Sequence, residues 1–210
     1  MKAVLFDLDR TLIDLQTYTD YGAALEDVES LIGSWDDPPA PQTDWDAPTQ
    51  RSMSILVALS GDPRWCGVSE AIAVHEMTAI ADSHAMPRLE DALALSQGIP
   101  RAVVTLVAEA PARAVLARHG VDIPVLVPRR PDLRPKPAAD QLLEACRLLG
   151  VAPSRTVMIG DSTWDAEAAA NAGCGFVGVA ATREGATRFG SGVMTGGDLV
   201  VALELASRAV

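Results

Sequence analysis

"KAVLFDLDRTLID", residues 2–14, is the stretch on which the fold turns. A short apolar run, Ala3 to Phe6, ends in two aspartates, Asp7 and Asp9, with only Leu8 between them. On an extended strand, residues two apart project to the same side. Both carboxylates then leave a buried strand on one face, where like charges are costly unless something positive lies between them.

Working outward, the chain after Met86 alternates between two kinds of segment. "RAVVT" (101–105), "IPVLV" (123–127), "TVMIG" (156–160) and "GFVGVA" (175–180) are short β-rich runs bounded by turn residues. Between them, "APARAVLARHG" (110–120), "AADQLLEACRLLG" (138–150) and "DAEAAANAG" (165–173) read as helices, the first two closing on glycine. Such alternation predicts an α/β fold: a Rossmann-like parallel sheet flanked by helices on both faces, with the opening run as one more strand. Ligand sites in such sheets lie at the carboxyl ends of the strands.

Residues 15–86 break the pattern. "YGAALEDVESLIG", "TQRSMSILVALSG" and "SEAIAVHEMTAIADSHA" read as helices with no strand between them, and the Pro- and Asp-rich "SWDDPPAPQTDWDAP" (34–48) reads as a loop. The expected organisation is an α/β core of residues 1–14 and 87–210 with an inserted α-helical cap domain, 15–86. Between Thr11 and Met86 there are thirteen acids against Arg51 and Arg64, so this segment alone carries a charge equal to the whole chain's −11.

That charge argues against nucleic acid as partner. Apolar residues make up 49% and charged residues 21%, an ordinary globular composition, and no apolar run nears the ~20 residues of a membrane span. The first apolar run stops at Asp7, too early for a secretory signal, so a cytoplasmic protein without a membrane partner is expected. Cys66, Cys146 and Cys174 are widely spaced and make neither a disulfide framework nor a zinc pattern; buried free thiols are expected.

A parallel sheet brings several polar groups to one edge: Asp7 and Asp9, then Thr105, then Lys136 through "PRRPDLRPKP", then Asp161 and Asp165 from "GDSTWD". Two carboxylates about 5 Å apart repel by roughly 3 kcal/mol at an effective dielectric near 20. One lysine does not offset several such pairs, so either protons or a hard divalent cation must compensate. Oxygen ligands without histidine or cysteine favour Mg²⁺ over zinc. A cation beside a carboxylate nucleophile suits phosphoryl transfer.

D-x-D-x-T, then Thr, then Lys before Pro, then G-D-S-x-x-D is an order that resembles the haloacid dehalogenase-like hydrolase superfamily, in its phosphoglycolate phosphatase-like branch with a helical cap. The resemblance implies a Mg²⁺-dependent phosphomonoester hydrolase acting on a small phosphorylated metabolite through an aspartyl-phosphate. On that basis Asp7 is the nucleophile, and Asp9 is the acid that protonates the leaving oxygen and then the base that activates water. Thr105, Lys136 and the backbone at Leu8 and Leu106 hold the phosphoryl group. Asp7, Asp161 and the Asp9 carbonyl bind Mg²⁺, with Asp165 as ligand or support. Arg10 stands where relatives often have glycine, and with Arg51 and Arg64 it is a candidate for substrate selection. An acidic cap with only two arginines favours a leaving group that is neutral or cationic.

Other readings stay open beside this one. A phosphomutase would use the same Asp7, and a phospho-ligand sensor could be built on the same fold. Ser162 and Asp165 also match a helix-capping pattern. "GCGFVG" (173–178) has dinucleotide-loop spacing but follows a helix and enters a strand, the wrong context. His75, His84 and His119 have no partners at ligand spacing and read as packing or surface residues.

Overall fold

The computed structural model describes residues 1–33 and 43–208. The chain begins with β1 (Ala3–Phe6) and β2 (Ile13–Asp14), followed by α1 (Tyr21–Ile32), α2 (Ala47–Ala58) and α3 (Trp65–Ala79). β3 (His84–Ala85) and α4 (Leu89–Leu95) lead into β4 (Arg101–Ala108), α5 (Glu109–Arg118), β5 (Val125–Arg129) and α6 (Asp140–Leu149). The rest is β6 (Thr156–Gly160), α7 (Thr163–Ala172), β7 (Gly175–Val179), α8 (Arg183–Ala186), β8 (Thr195–Gly196) and α9 (Leu199–Arg208).

Six parallel strands form one sheet in the order β5-β4-β1-β6-β7-β8. β1 sits inside it, Val4 opposite Arg101 of β4 on one side and Val157 of β6 on the other. The alternation of a strand explains its composition: Val4 and Phe6 enter one core cluster and Leu5 enters the other, so every residue of β1 is fully buried. Chain order reverses at β1, with β4 and β5 to one side and β6, β7 and β8 to the other. Asp7 therefore leaves the sheet at its switch point.

α1, α2 and α3 share a third cluster of Tyr21, Val28, Ile55, Leu59, Val68 and Ile72 among others, into which Trp164 of α7 projects. Asp20 and Asp46 cap α1 and α2 by accepting from the amides of Ala23 and Thr49. These helices lie between the strands of an antiparallel ribbon, β2 with β3, in which Ile13 faces Ala85 and Asp14 faces His84.

Several boundaries differ from the sequence expectation. β4 runs past Thr105 to Ala108, because its pairing with β5 shifts register between Val104 and Ala108 instead of ending. β5 starts at Val125, since Ile123 packs into the core ahead of the strand. The helix expected through 69–85 stops at Ala79, and its last residues form β3 of the ribbon. Of the loop expected over 34–48, residues 34–42 lie outside the described residues, 43–46 are not helical, and Ala47 and Pro48 already belong to α2. Cys66 is exposed rather than buried, whereas Cys146 is buried and Cys174 half-buried; all three are free thiols. The histidines have ordinary contacts: His75 with Asp27, His119 with Ser83, and His84 against the Tyr18 ring. Among the described residues, no helix is long and apolar enough to cross a membrane.

Candidate active site

β1 carries Asp7 to the sheet edge, and the chain then folds back tightly. The Leu8 carbonyl accepts from the amides of Leu12 at 2.9 Å and Ile13 at 3.0 Å. This turn needs a left-handed residue, and Arg10 takes that role with φ of 56°. The same turn aims Asp9, whose Oδ1 accepts from the amides of Leu15 at 2.9 Å and Gln16 at 2.8 Å.

Lys136 reaches the edge from the segment after β5. Its Nζ donates to Asp7 Oδ1 and Asp165 Oδ1 at 2.6 Å each, and to the Val104 carbonyl at 3.1 Å. Burial alone would lower this ammonium's pKa, but Asp165 and Asp7 outweigh it and hold it above its ordinary value. Gln141 of α6, which is fully buried, ties the lysine to β4. Its Oε1 accepts from the Lys136 amide at 3.0 Å while its Nε2 donates to the Thr105 carbonyl at 2.9 Å.

At the end of β6, Ser162 and Asp165 form the expected capping box of α7. Asp165 Oδ2 accepts from the Ser162 amide at 3.1 Å and the Ser162 hydroxyl at 2.6 Å. Gly160 makes room for this: a Cβ there would lie 2.5 Å from the Asp165 carboxylate. Asp165 thus spends both oxygens on Lys136 and Ser162. Asp161 does not, and its buried Oδ2 has no hydrogen-bond partner. Asp7, Asp161 and Asp165 offer oxygens within 4.8 Å of one another.

Acidity follows from this crowding. Burial raises Asp7 to about 7 against the pull of Lys136, and burial likewise raises Asp9 to about 7 despite two backbone hydrogen bonds. Burial, then the charges of Asp7 and Asp165, push Asp161 well above the usual carboxylate range.

Asp7, Asp9, Thr105, Leu106, Lys136 and Asp161 line one cavity, whereas Leu8 and Asp165 do not. Its volume is only about 30 Å³. Tyr21, Trp45 and Met53 from the helical layer complete it, with Trp45 set against Trp164 at a ring separation of 5.2 Å. Arg51 and Arg64 do not line it: Arg51 pairs with Glu29 and Arg64 with Asp62 on the surface. Two cations from the core, Arg10 and Arg188, instead line a second cavity that shares Asp161. Arg10 Nη2 meets Asp44 at 3.1 Å and its Nε lies 3.6 Å from Asp161, while Arg188 bonds the same Asp44. Gln141, Gly160 and Arg188 were not singled out from the sequence. A signal existed for Gln141, which stands four residues before core Ala145 on the apolar face of α6.

Comparison with known proteins agrees with this geometry. No curated protein matches the chain. A hydrolase from Pseudomonas syringae superposes with a TM-score of 0.74 at 21% identity, covering 100% of both chains. A predicted phosphoglycolate phosphatase from Haemophilus somnus gives 0.69 at 20% identity over 98% of this chain and 97% of its own. L-2-haloacid dehalogenase from Xanthobacter autotrophicus gives 0.69 at 18% identity, covering 99% and 98%. These likenesses establish a shared fold. The description of the haloacid dehalogenase-like hydrolases matches residues 1–173, most of the chain, which therefore belongs to that family.

Proposed function

We propose that this chain is a Mg²⁺-dependent phosphomonoester hydrolase that works through an aspartyl-phosphate on Asp7, with a small phosphorylated metabolite as substrate. The observation that carries this reading is the Lys136 ammonium, 2.6 Å from both Asp7 and Asp165, beside a buried Asp161 oxygen that accepts no hydrogen bond and has only Arg10 Nε, at 3.6 Å, near it. A buried carboxylate oxygen is costly to leave without a hydrogen bond, and three clustered carboxylates with one ammonium fit a hard cation. Asp7, Asp161 and the Asp9 carbonyl are its ligands in this reading. Asp165, committed to Lys136 and Ser162, supports them. When bound, Mg²⁺ supplies positive charge against the carboxylates and the phosphoryl oxygens.

Asp7 keeps one oxygen on Lys136 and attacks phosphorus with the other. The phosphorus–ester oxygen bond breaks as Asp9, which burial raises to about 7 so that much of it keeps its proton near neutral pH, gives that proton to the departing oxygen. Asp9, now ionised, takes a proton from the water that attacks the phosphorus. Phosphate leaves and the Asp7 carboxylate returns. Thr105, Leu106 and Lys136 hold the phosphoryl group throughout. The helical layer of 15–86 acts as a cap, and Tyr21, Trp45 and Met53 exclude bulk water from the reaction. This uncharged roof suits a leaving group without a negative charge next to the ester. A cytoplasmic location belongs to the same reading.

Phosphate release from a panel of phosphomonoesters, with Mg²⁺ and with chelator, tests the proposal. Mg²⁺-dependent release that is lost in Asp7→Asn is expected. No release from any ester by the folded protein, or turnover that survives Asp7→Asn, would overturn it.

A further inference from the structure

One fully buried ion pair plays no part in the chemistry described above. Arg129, the last residue of β5, and Glu76 of α3 bond each other with both side chains 0% exposed. Replacing such a pair with well-packed apolar residues is often neutral or stabilising, so a buried pair is weak evidence for a role in stability alone. Its remaining bonds point elsewhere. Arg129 Nη1 also donates to the Leu106 carbonyl at 2.6 Å, and Glu76 Oε2 accepts from the Ala108 amide at 3.2 Å. Arg129 is anchored to α3 by donating to the Ser69 hydroxyl and the Ser69 carbonyl, both at 2.8 Å.

These bonds fall where the sheet gives up its regular pairing, between Val104 and Ala108. Buried peptide groups freed from a ladder need other partners. Here the Thr105 carbonyl has Gln141, the Leu106 carbonyl has Arg129, the Val107 amide has the Thr105 hydroxyl, and the Ala108 amide has Glu76. The conformation of residues 105–108 is therefore set by side chains from three other elements. Two of these side chains form the ion pair.

We propose that Glu76 and Arg129 are positioning residues, which fix the irregular 105–108 end of β4 and so aim the Thr105 hydroxyl and the Leu106 amide at the phosphoryl group. The inference rests on the phosphatase reading for its consequence, but not for its geometry. It also couples the helical layer to phosphate binding, because Glu76 and Ser69 both belong to α3.

The test uses the full chain with Glu76→Met and Arg129→Met combined, which removes the charges together and keeps the volume. The expected double variant loses the partners of the Leu106 carbonyl and the Ala108 amide, so its thermal midpoint falls by several degrees while it stays folded at the assay temperature. Its KM for a phosphomonoester and its inhibition constant for inorganic phosphate both rise about tenfold, a change of about 1.4 kcal/mol. Its kcat changes less, and amide exchange across 105–108 accelerates at least as much as phosphate binding weakens. Glu76→Gln, which keeps the shape but only one acceptor oxygen, gives the same pattern more weakly and serves if the double variant does not fold. A folded variant with wild-type phosphate affinity and wild-type exchange at 105–108 would overturn the proposal and leave the pair as packing. If wild type hydrolyses no ester, the phosphatase reading fails, and exchange at 105–108 alone then decides the positioning role: faster supports it, unchanged ends it.

Discussion

Lys136 is the residue on which the charge balance of the site depends. Its removal leaves Asp7 and Asp165 facing each other without a cation, in a region where Asp165 is fully buried. Lys136→Met is expected to cost about 3–5 kcal/mol at neutral pH. Denaturant unfolding should show a smaller loss at pH 5, where Asp7, raised by burial to about 7, takes up a proton instead. Asp9 sets the alkaline limb of the pH profile. In the proposed mechanism its proton is needed, and with its carboxyl at about 7, kcat/KM for ester hydrolysis is expected to fall above that pH, while Asp7, also raised to about 7 and needed ionised, limits it below. Asp9→Asn should lower kcat by about 10²–10⁴-fold. Gly160 is as constrained as any charged residue. Gly160→Ala forces a Cβ into the Asp165 carboxylate and should cost about 1–3 kcal/mol, read from the shift of the unfolding midpoint. At this scale the acids, Thr105 and Lys136 were legible because their spacing from strand ends is a local property. The place of Arg51 and Arg64 away from the cavity was not legible, because nothing in a sequence says whether an arginine has a nearer acid, and Glu29 and Asp62 supply one each.

Among the elements, α6 does more than cover the sheet. Gln141 on its buried face joins Lys136 to Thr105, so Gln141→Leu leaves the Thr105 carbonyl and the Lys136 amide unpaired. The expected cost is about 1–3 kcal/mol per orphaned group, with a loss of activity larger than the loss of folded protein at the assay temperature. Parallel strands and the helices that follow them were readable from sequence, since both depend on local periodicity and on glycine stops at Gly120 and Gly150. The β2–β3 ribbon was not. It consists of two residues from each side of a long insertion, and neither pair shows its partner locally. The length of β4 was hidden for a related reason. Thr105 looks like a strand end in the sequence, but the strand continues once Gln141, Arg129 and Glu76 provide what β5 does not.

For the whole molecule, the site weighs against stability at high pH. The carboxyl of Asp9 has an ordinary value of 3.8 and stands at about 7 in the folded chain. A raised carboxyl favours the fold while it is protonated, so its contribution is complete below about pH 4 and disappears as pH rises through about 7. The loss amounts to about 4 kcal/mol at most for Asp9, and burial of Asp7 and Asp161 acts in the same direction. In chelator the thermal midpoint should therefore drop between pH 5 and pH 8. Mg²⁺ should restore more of it at pH 8 than at pH 5, and an equal effect at both would argue against a cation among these carboxylates.

The two edges of the helical layer are fastened by bonds of different kinds. Arg129 and Glu76 are sealed from solvent, whereas Asp44 is 41% exposed where it joins Arg10 and Arg188. Dissolved ions shorten the reach of exposed charges to about 3 Å at 1 M and scarcely affect buried ones. Raising ionic strength is therefore expected to weaken the contacts Asp44 makes with Arg10 and Arg188 while leaving the Arg129–Glu76 pair almost untouched, an asymmetry that amide exchange on the two sides of the helical layer would read.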